Sequence, residues 1–293
     1  MKQVLKCFSV VLGIMLILAL LGFTARATEP VEEAGIEDAP IVFAFTEVPL
    51  YSEDEFIGTG LMVDSVTYVP LLTFTEWMLQ ETCTVEWDQE TGTATLRAEG
   101  FDAVLCADQT YMTVNGRYLY FPDGVYNVNG TIIVPIRELA KVFGLTPEWD
   151  KDQFSIHLDT SNAALFESGD TFYDEEDLYW LSHVIYSEAG NQPMAGMIGV
   201  GNVVINRRED DTGAFKDTTK GVIFQVGQFD VVPTGAIYLD PNENSIIAAK
   251  LCLEGYNTVG DCKWFVNPKI GSASWFNKYK TLMYSIQDHD FYA

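Results

Sequence analysis

The chain has 293 residues, with 17 Lys or Arg against 42 Asp or Glu and a formal net charge of −25. A surface so acidic repels nucleic acid and anionic lipid, which excludes phosphate-tracking and polybasic membrane binding. Any grip on a large polar ligand must come from hydrogen bonds and ring faces, and an aromatic content of 13% supplies the rings.

Lys2 and Lys6 precede an apolar run from Cys7 to Leu21, and Ala25-Arg26-Ala27 offers small residues at a cleavage site. This is the pattern of a secretory signal peptide over residues 1–27. The run approaches the roughly 18 residues that span a bilayer, so an uncleaved anchor is the alternative. Cleavage leaves 14 basic against 42 acidic residues, a net charge of −28, on a secreted chain without membrane contact. Residues 28–40 are acidic, contain Pro and Ala and lack periodicity, as a linker does.

An internal repeat fills residues 41–159. Tyr68-Val69-Pro70-Leu71 recurs as Ile133-Val134-Pro135-Ile136, and Val85-Glu86-Trp87-Asp88 recurs as Pro147-Glu148-Trp149-Asp150. Each copy reads as strand, Pro, short helix and a W-D turn into another strand. Asn115-Gly116 and Asn129-Gly130 mark hairpins. The second short helix, 137–143, stops at Gly144. The spacing predicts a small α+β module built from a duplicated half. Its Trp77, Trp87 and Trp149 either stack on sugars or pack in the core, and core packing is the commoner fate. A second polar, aperiodic linker occupies 160–174.

From Asp177 the pattern becomes helical. Leu178, Leu181 and Ile185 share one stripe, and Glu188 is its next member, where another hydrophobe would ordinarily stand. The turn 189–192 stops that helix, and Pro193 suits the first turn of the next. This second helix is apolar nearly all round and reads as buried, with Asn202 and Asn206 one turn apart as its polar exceptions. Buried amides must be paired, so these two either brace the structure or face a ligand. Burial would raise the Glu188 pKa and make it a general acid near neutrality; an exposed Glu at a helix end is the plain alternative. Asp240-Pro241-Asn242-Glu243 reads as a helix start with Asp240 as cap. Trp264-Phe265-Val266 reads as a short strand closed by the turn Asn267-Pro268.

Apart from Cys7 the cysteines fall two per region, Cys83 with Cys106 and Cys252 with Cys262. Four cysteines allow three pairings, and only that one keeps both bridges local; buried thiols are the alternative. There is no H-E-x-x-H, no zinc spacing and no G-x-S-x-G elbow. A thiol peptidase built from Cys252 or Cys262 with His183 or His289 would lack any motif. No metal and no cofactor is expected.

The C-terminal stretch resembles the SleB/CwlJ group of cell wall hydrolases. The G-E-A-R-G-E-like motif of that group corresponds to Ser187-Glu188-Ala189-Gly190-Asn191-Gln192, and its N-R to Asn206-Arg207. The likeness continues through Gly221-Val222-Ile223-Phe224-Gln225, Gly227-Gln228-Phe229, Trp264-Phe265-Val266-Asn267-Pro268 and His289-Asp290-Phe291-Tyr292, in the expected order. The resemblance implies a lysozyme-like (lytic transglycosylase-like) domain over 175–293, acting on peptidoglycan glycan strands of the cell wall or spore cortex. It makes Glu188 the catalytic residue, and Gln228, Phe229, Trp264, Asn267 and Asn206 candidate substrate contacts. One clear acid suits a lytic transglycosylase, whereas a second carboxylate, Asp217 or Asp230, would make a hydrolytic muramidase. Gly190 stands where the group carries Arg, and Gln192 where it carries Glu, which opens the further alternative of an inactive wall-binding protein. The repeat over 41–159 resembles the copper amine oxidase N-terminal-like domain. That name implies no copper here, since the segment offers only His157, Cys83 and Cys106 as imidazole or sulfur ligands.

Overall fold

The structure, a computed structural model, describes residues 45–106, 109–128 and 130–293. The expected signal peptide, the first linker and Asn129 lie outside the described residues. No helix among those described is long and apolar enough to cross a membrane.

In chain order, strands β1 (Thr46–Ser52), β2 (Glu55–Val63) and β3 (Val66–Pro70) lead into helix α1 (Leu71–Leu79). A meander follows: β4 (Thr84–Asp88), β5 (Thr93–Ala98), β6 (Phe101–Cys106), β7 (Tyr111–Val114) and β8 (Arg117–Tyr120). Then come β9 (Tyr126–Val128), β10 (Thr131–Pro135), α2 (Ile136–Lys141), β11 (Glu148–Asp150) and β12 (Ser155–Leu158). The C-terminal elements are α3 (Gly169–Phe172), α4 (Glu175–Ala189), α5 (Met194–Arg208), α6 (Thr219–Phe224), α7 (Val231–Thr234), a 3-10 turn (Ala236–Tyr238), α8 (Glu243–Leu253), β13 (Trp264–Val266), α9 (Ser274–Tyr279), β14 (Leu282–Ile286) and β15 (His289–Tyr292).

The duplicated half is visible in the pairing. The two Val-Pro strands lie antiparallel, Val69 opposite Val134 and Pro70 opposite Ile133, and each runs straight into a short helix. Asn115 and Gly116 both have positive φ, the conformation a two-residue hairpin turn between twisted strands demands. The copies part company after their helices. The second W-D hairpin, β11 and β12, joins a seven-stranded sheet of order β11-β12-β1-β2-β3-β10-β9, while the first opens a five-stranded meander, β4 to β8.

The chain divides accordingly into two compact units, one of residues 45–78 with 127–165, the other of 79–126 with 166–293. One break, at 165/166, falls inside the expected linker 160–174, and a further one places 79–126 of the repeat region with the C-terminal residues. In the second unit Arg117 of β8 makes a two-pronged bond to Glu254 just beyond α8, Nε to Oε1 at 3.1 Å and Nη2 to Oε2 at 2.6 Å. Tyr173 donates to the same carboxylate at 2.6 Å. Tyr120 lies in one apolar cluster with α4, α5 and α8 residues. The meander is thereby part of the C-terminal core.

The expected core fate of the tryptophans fails for two of the three. Trp87 is 52% and Trp149 44% exposed. Each sits on an edge strand of its sheet, where one flank has no neighbour to cover it.

In the C-terminal half three helices cross closely at α5. A Cβ on Gly201 would lie 2.5 Å from Cys252 Sγ and 3.0 Å from Ile185 Cδ1, so only hydrogen fits between α4 and α8 there. The expected disulfides are absent: Cys83, Cys106, Cys252 and Cys262 are thiols. Cys252 Sγ fills the notch over Gly201 and donates to the Ile198 carbonyl at 3.4 Å, while Cys106 Sγ donates to Thr91. A small sheet of order β13-β15-β14 closes the molecule, its Phe291 buried against Gly199.

Candidate active site

The carboxylate of Asp174 caps α4 by accepting from Asp177 N at 2.9 Å, and Glu175, Glu176 and Asp177 suit the positive end of the helix. Leu181, Val184, Ile185 and Ala189 are buried. Glu188 follows on the Leu181–Ile185 stripe, in the last turn and half-buried. Its carboxyl makes no hydrogen bond among the described residues. Burial pushes its pKa up to about 7, helped by the negative charge of Asp230 and opposed by Arg207. Of the two carboxylates considered as a second group, Asp230 therefore acts on Glu188; Asp217 does not figure among the charges that do.

Arg207, at the end of α5, is 4% exposed. Its Nε donates to the Lys263 carbonyl at 2.7 Å, and the guanidinium lies 5.0 Å from the Phe229 ring and 5.3 Å from that of Phe215. Its Nη1 has no partner among the described residues. Burial pulls the Arg207 pKa down to about 10, with Glu188 acting the other way. A buried cation thus opposes this partly buried acid. The signal for Arg207 in the sequence was a charge at the end of an otherwise apolar helix.

The turn after Glu188 is tightly held. Asn242 Nδ2 donates to Gly190 O at 3.2 Å. Asp288 N donates to Gln192 Oε1 at 3.2 Å, and Gln192 is buried. A Cβ on Gly190 would come 2.6 Å from Tyr186 O, so this backbone has no room for the Arg of the motif. Ser187 Oγ donates to Ala236 O at 2.9 Å, and His183 Nδ1 is 2.9 Å from Ile237 O, strapping the 3-10 turn across α4. Asn242, not the expected Asp240, caps α8: its Oδ1 accepts from Ser245 N at 2.8 Å. Pro193 precedes α5 as its cap residue rather than lying in its first turn.

The expected substrate contacts divide. Asn206 spends its Nδ2 on the carbonyls of Gly260 and Cys262, at 2.7 and 2.8 Å, while Asn202 donates from Nδ2 to Tyr256 O and accepts at Oδ1 from Thr258 N, so both amides brace the loop after α8. Phe229 is buried, edging Arg207 and standing 6.4 Å from Phe265. Gln228 is half-buried with no side-chain bond among the described residues. Trp264 is half-buried, with Lys280 Nζ 3.1 Å from its ring centre. Asn267 Oδ1 accepts from Lys269 N at 3.0 Å and shapes the turn. The thiols offer no nucleophile: burial pushes Cys262 up to about 11 and Cys252 further still, and His183 is committed to Ile237. An open depression lined by Asp170, Tyr173, Glu176 and Tyr179 belongs to the opposite end of α4. Glu176 and Glu188 are separated by about 18 Å of helix.

Residues 191–292 match the family model described as Cell Wall Hydrolase, and residues 52–158 the one described as Copper amine oxidase N-terminal domain. Glu188 lies just ahead of the first match. Spore cortex-lytic enzymes of Oceanobacillus iheyensis and Bacillus cereus are each 30% identical over 103 residues, 35% of this chain and 37% and 39% of theirs. That of Bacillus subtilis is 27% identical over 103 residues and 33% of its length. The chain thus aligns with well under half the length of these relatives. Among solved structures, the catalytic domain of the Bacillus cereus SleB protein is 28% identical, with 42% of this chain and 94% of that one covered and a TM-score of 0.38. The catalytic domain of the germination-specific lytic transglycosylase SleB from Bacillus anthracis is also 28% identical, covering 42% and 98%, with a TM-score of 0.39. The chain carries a cell wall hydrolase domain and a copper amine oxidase N-terminal-like domain.

Proposed function

We propose that this chain cleaves the peptidoglycan backbone between N-acetylmuramic acid and N-acetylglucosamine, with Glu188 as general acid and then as base. The observation that carries the reading is a half-buried carboxyl without a hydrogen-bond partner among the described residues, whose pKa is pushed up to about 7, so that it holds a proton to give at neutral pH. Glu188 passes that proton to the glycosidic oxygen as the bond to C1 breaks. The carboxylate left behind is stabilised by the charge of Arg207, whose guanidinium has a donor to spare. It then takes the proton of the muramic acid 6-hydroxyl as O6 closes on C1. Glu188 ends protonated, no water is consumed, and the product carries a 1,6-anhydro end.

The charge of Asp230 beside Glu188 supports a second, hydrolytic route, in which that carboxylate orients a water and the product has a reducing end. Gln228, Trp264 and Asn267 are the proposed sugar contacts. The spore cortex-lytic relatives make cortex peptidoglycan the first substrate to try, and export by a cleaved signal peptide would bring the enzyme to it.

The test is digestion of purified peptidoglycan by the wild type and by Glu188→Gln, with mass spectrometry of the fragments. Loss of activity in the variant and anhydro ends from the wild type are expected. Reducing ends would replace the transglycosylase by a muramidase, and trimmed peptides on intact glycan would replace both by an amidase. Equal inertness of both proteins would leave only a wall-binding role.

A further inference from the structure

We infer that the face formed by α9 and β14 binds the carboxylate-bearing peptide stems of the wall polymer, so that peptide-bearing glycan is preferred over bare glycan. This rests on the proposed reading of the site and adds its substrate class. Residues 263–287 contain four lysines, Lys263, Lys269, Lys278 and Lys280, and no Asp or Glu, in a chain of net charge −25. An enzyme otherwise so acidic repels a polymer whose stems carry free carboxylates. This segment reverses that repulsion locally.

Two of the lysines are already engaged, Lys263 with Asp210 and Lys269 with Asp288. Lys278 and Lys280 pair with no carboxylate among the described residues, and each lies against a ring: Lys278 Nζ is 5.0 Å from the Tyr279 centre and Lys280 Nζ 3.1 Å from that of Trp264. Between them the surface is apolar and open. Trp275, Tyr279, Leu282 and Met283 are each about half exposed, and the Trp275 and Tyr279 rings stand 5.5 Å apart. An isolated apolar residue on a surface is ordinary, but a run of them edged by free cations marks a contact face.

β14 adds backbone. It is the outer strand of the sheet β13-β15-β14, exposed along nearly its whole length, so one flank offers N–H and C=O groups to an extended peptide. The face is also joined to the catalytic turn. Lys269 binds Asp288, and the Asp288 backbone N–H donates to Gln192, four residues after Glu188. These bonds run from the loop before α9, through Asp288 in the turn between β14 and β15, to the turn that carries Glu188. An anionic membrane and a second copy of this acidic chain are the competing occupants.

The experiment uses the full chain in a Glu188→Gln background, so that the ligand survives. Sedimentation with stem-bearing peptidoglycan is compared with the same glycan stripped of its peptides by an amidase. Raising ionic strength from about 0.01 M to about 0.15 M shortens the screening length from about 30 Å to about 8 Å, and binding to the stem-bearing polymer should fall with it. Reversing Lys278→Glu and Lys280→Glu together, or removing the rings with Trp275→Ala and Tyr279→Ala, should weaken that binding about tenfold. Thermal midpoints of the variants within a few degrees of the parent show that the fold is kept. Equal binding to intact and stripped glycan would overturn the inference, as would unchanged binding in both folded variants. So would Lys278-dependent binding to phosphatidylglycerol vesicles without stem dependence, or a dimer that the lysine reversal dissolves. If stems are bound but Glu188→Gln digests wall as fast as wild type, the catalytic reading fails and this one stands.

Discussion

Holding a carboxyl at position 188 away from water disfavours its charged form, and the cost to the folded state grows as pH rises from the ordinary value of 4.5 and is complete above about 7. For catalysis, the protonated fraction limits the first step, so the rate should decline as pH rises through about 7. Asp230→Asn removes a neighbouring negative charge, eases ionisation and should move that limb to lower pH; the pH dependence of wall clearing reads it. For stability the sign follows from proton counting. Between 4.5 and about 7 the folded protein binds the extra proton, so stability falls as pH rises through that window. Glu188→Gln should therefore match wild type near pH 4 and exceed it at pH 8, by on the order of 3 kcal/mol at most, in chemical denaturation at the two pH values. Glu188 was legible in the sequence because a charge broke an apolar stripe. Asp230 could not be separated from Asp217, since both lie in loops whose approach to α4 depends on packing. Asn206 was ambiguous for a related reason: periodicity places an amide in the interior but does not say which carbonyls it meets.

Among the elements, α5 is the one whose sequence looks least like a helix and whose role is clearest. Glycine lowers helix propensity, yet α5 contains Gly196, Gly199 and Gly201, and at Gly201 the reason is the approach of α4 on one side and the Cys252 thiol on the other. Gly201→Ala should gain local propensity and still destabilise by about 1 to 3 kcal/mol, because a methyl group 2.5 Å from Cys252 Sγ forces the helices apart. Pairing it with Cys252→Ala should recover part of the loss, since the smaller side chain vacates the notch. Urea midpoints of the two variants decide this, and a neutral Gly201→Ala would mean that α8 can simply slide. The helices α4, α5 and α8, the Val-Pro strands with their short helices and the W-D hairpins were readable from periodicity and turn residues, whereas the short helices α3, α6, α7 and α9 were not. The burial of the tryptophans was not. A W-D turn looks alike in both copies, and only the sheet order reveals that Trp87 and Trp149 stand on edge strands.

At the scale of the molecule, a repeat read as one module is shared between two compact units, and the cause is a polar anchor that no local pattern announces. Arg117 and Glu254 lie 137 positions apart, their side chains only 13% and 4% exposed, and Tyr173 completes the carboxylate's bonds. The Arg117 guanidinium also sits 3.5 Å from the Phe172 ring centre and 4.0 Å from that of Phe166, so the segment expected as a loose linker supplies part of its housing. Breaking one side of such a pair leaves a buried charge without its partner. Glu254→Ala should cost about 3 to 5 kcal/mol, whereas the double change Arg117→Met with Glu254→Leu should cost far less, because it removes the charge along with the partner. Denaturant unfolding of the two variants separates these cases, and equal losses would mean that the pair contributes geometry rather than charge compensation. The same anchor bears on where the catalytic half can be cut. A fragment starting at residue 175 loses Arg117, Tyr120 and Tyr173 together, leaving Glu254 unpaired and the apolar cluster open where Tyr120 sat. A chain that keeps the β4 to β8 meander should therefore unfold at higher urea than that fragment. Identical midpoints would show that the meander rests on the core without supporting it.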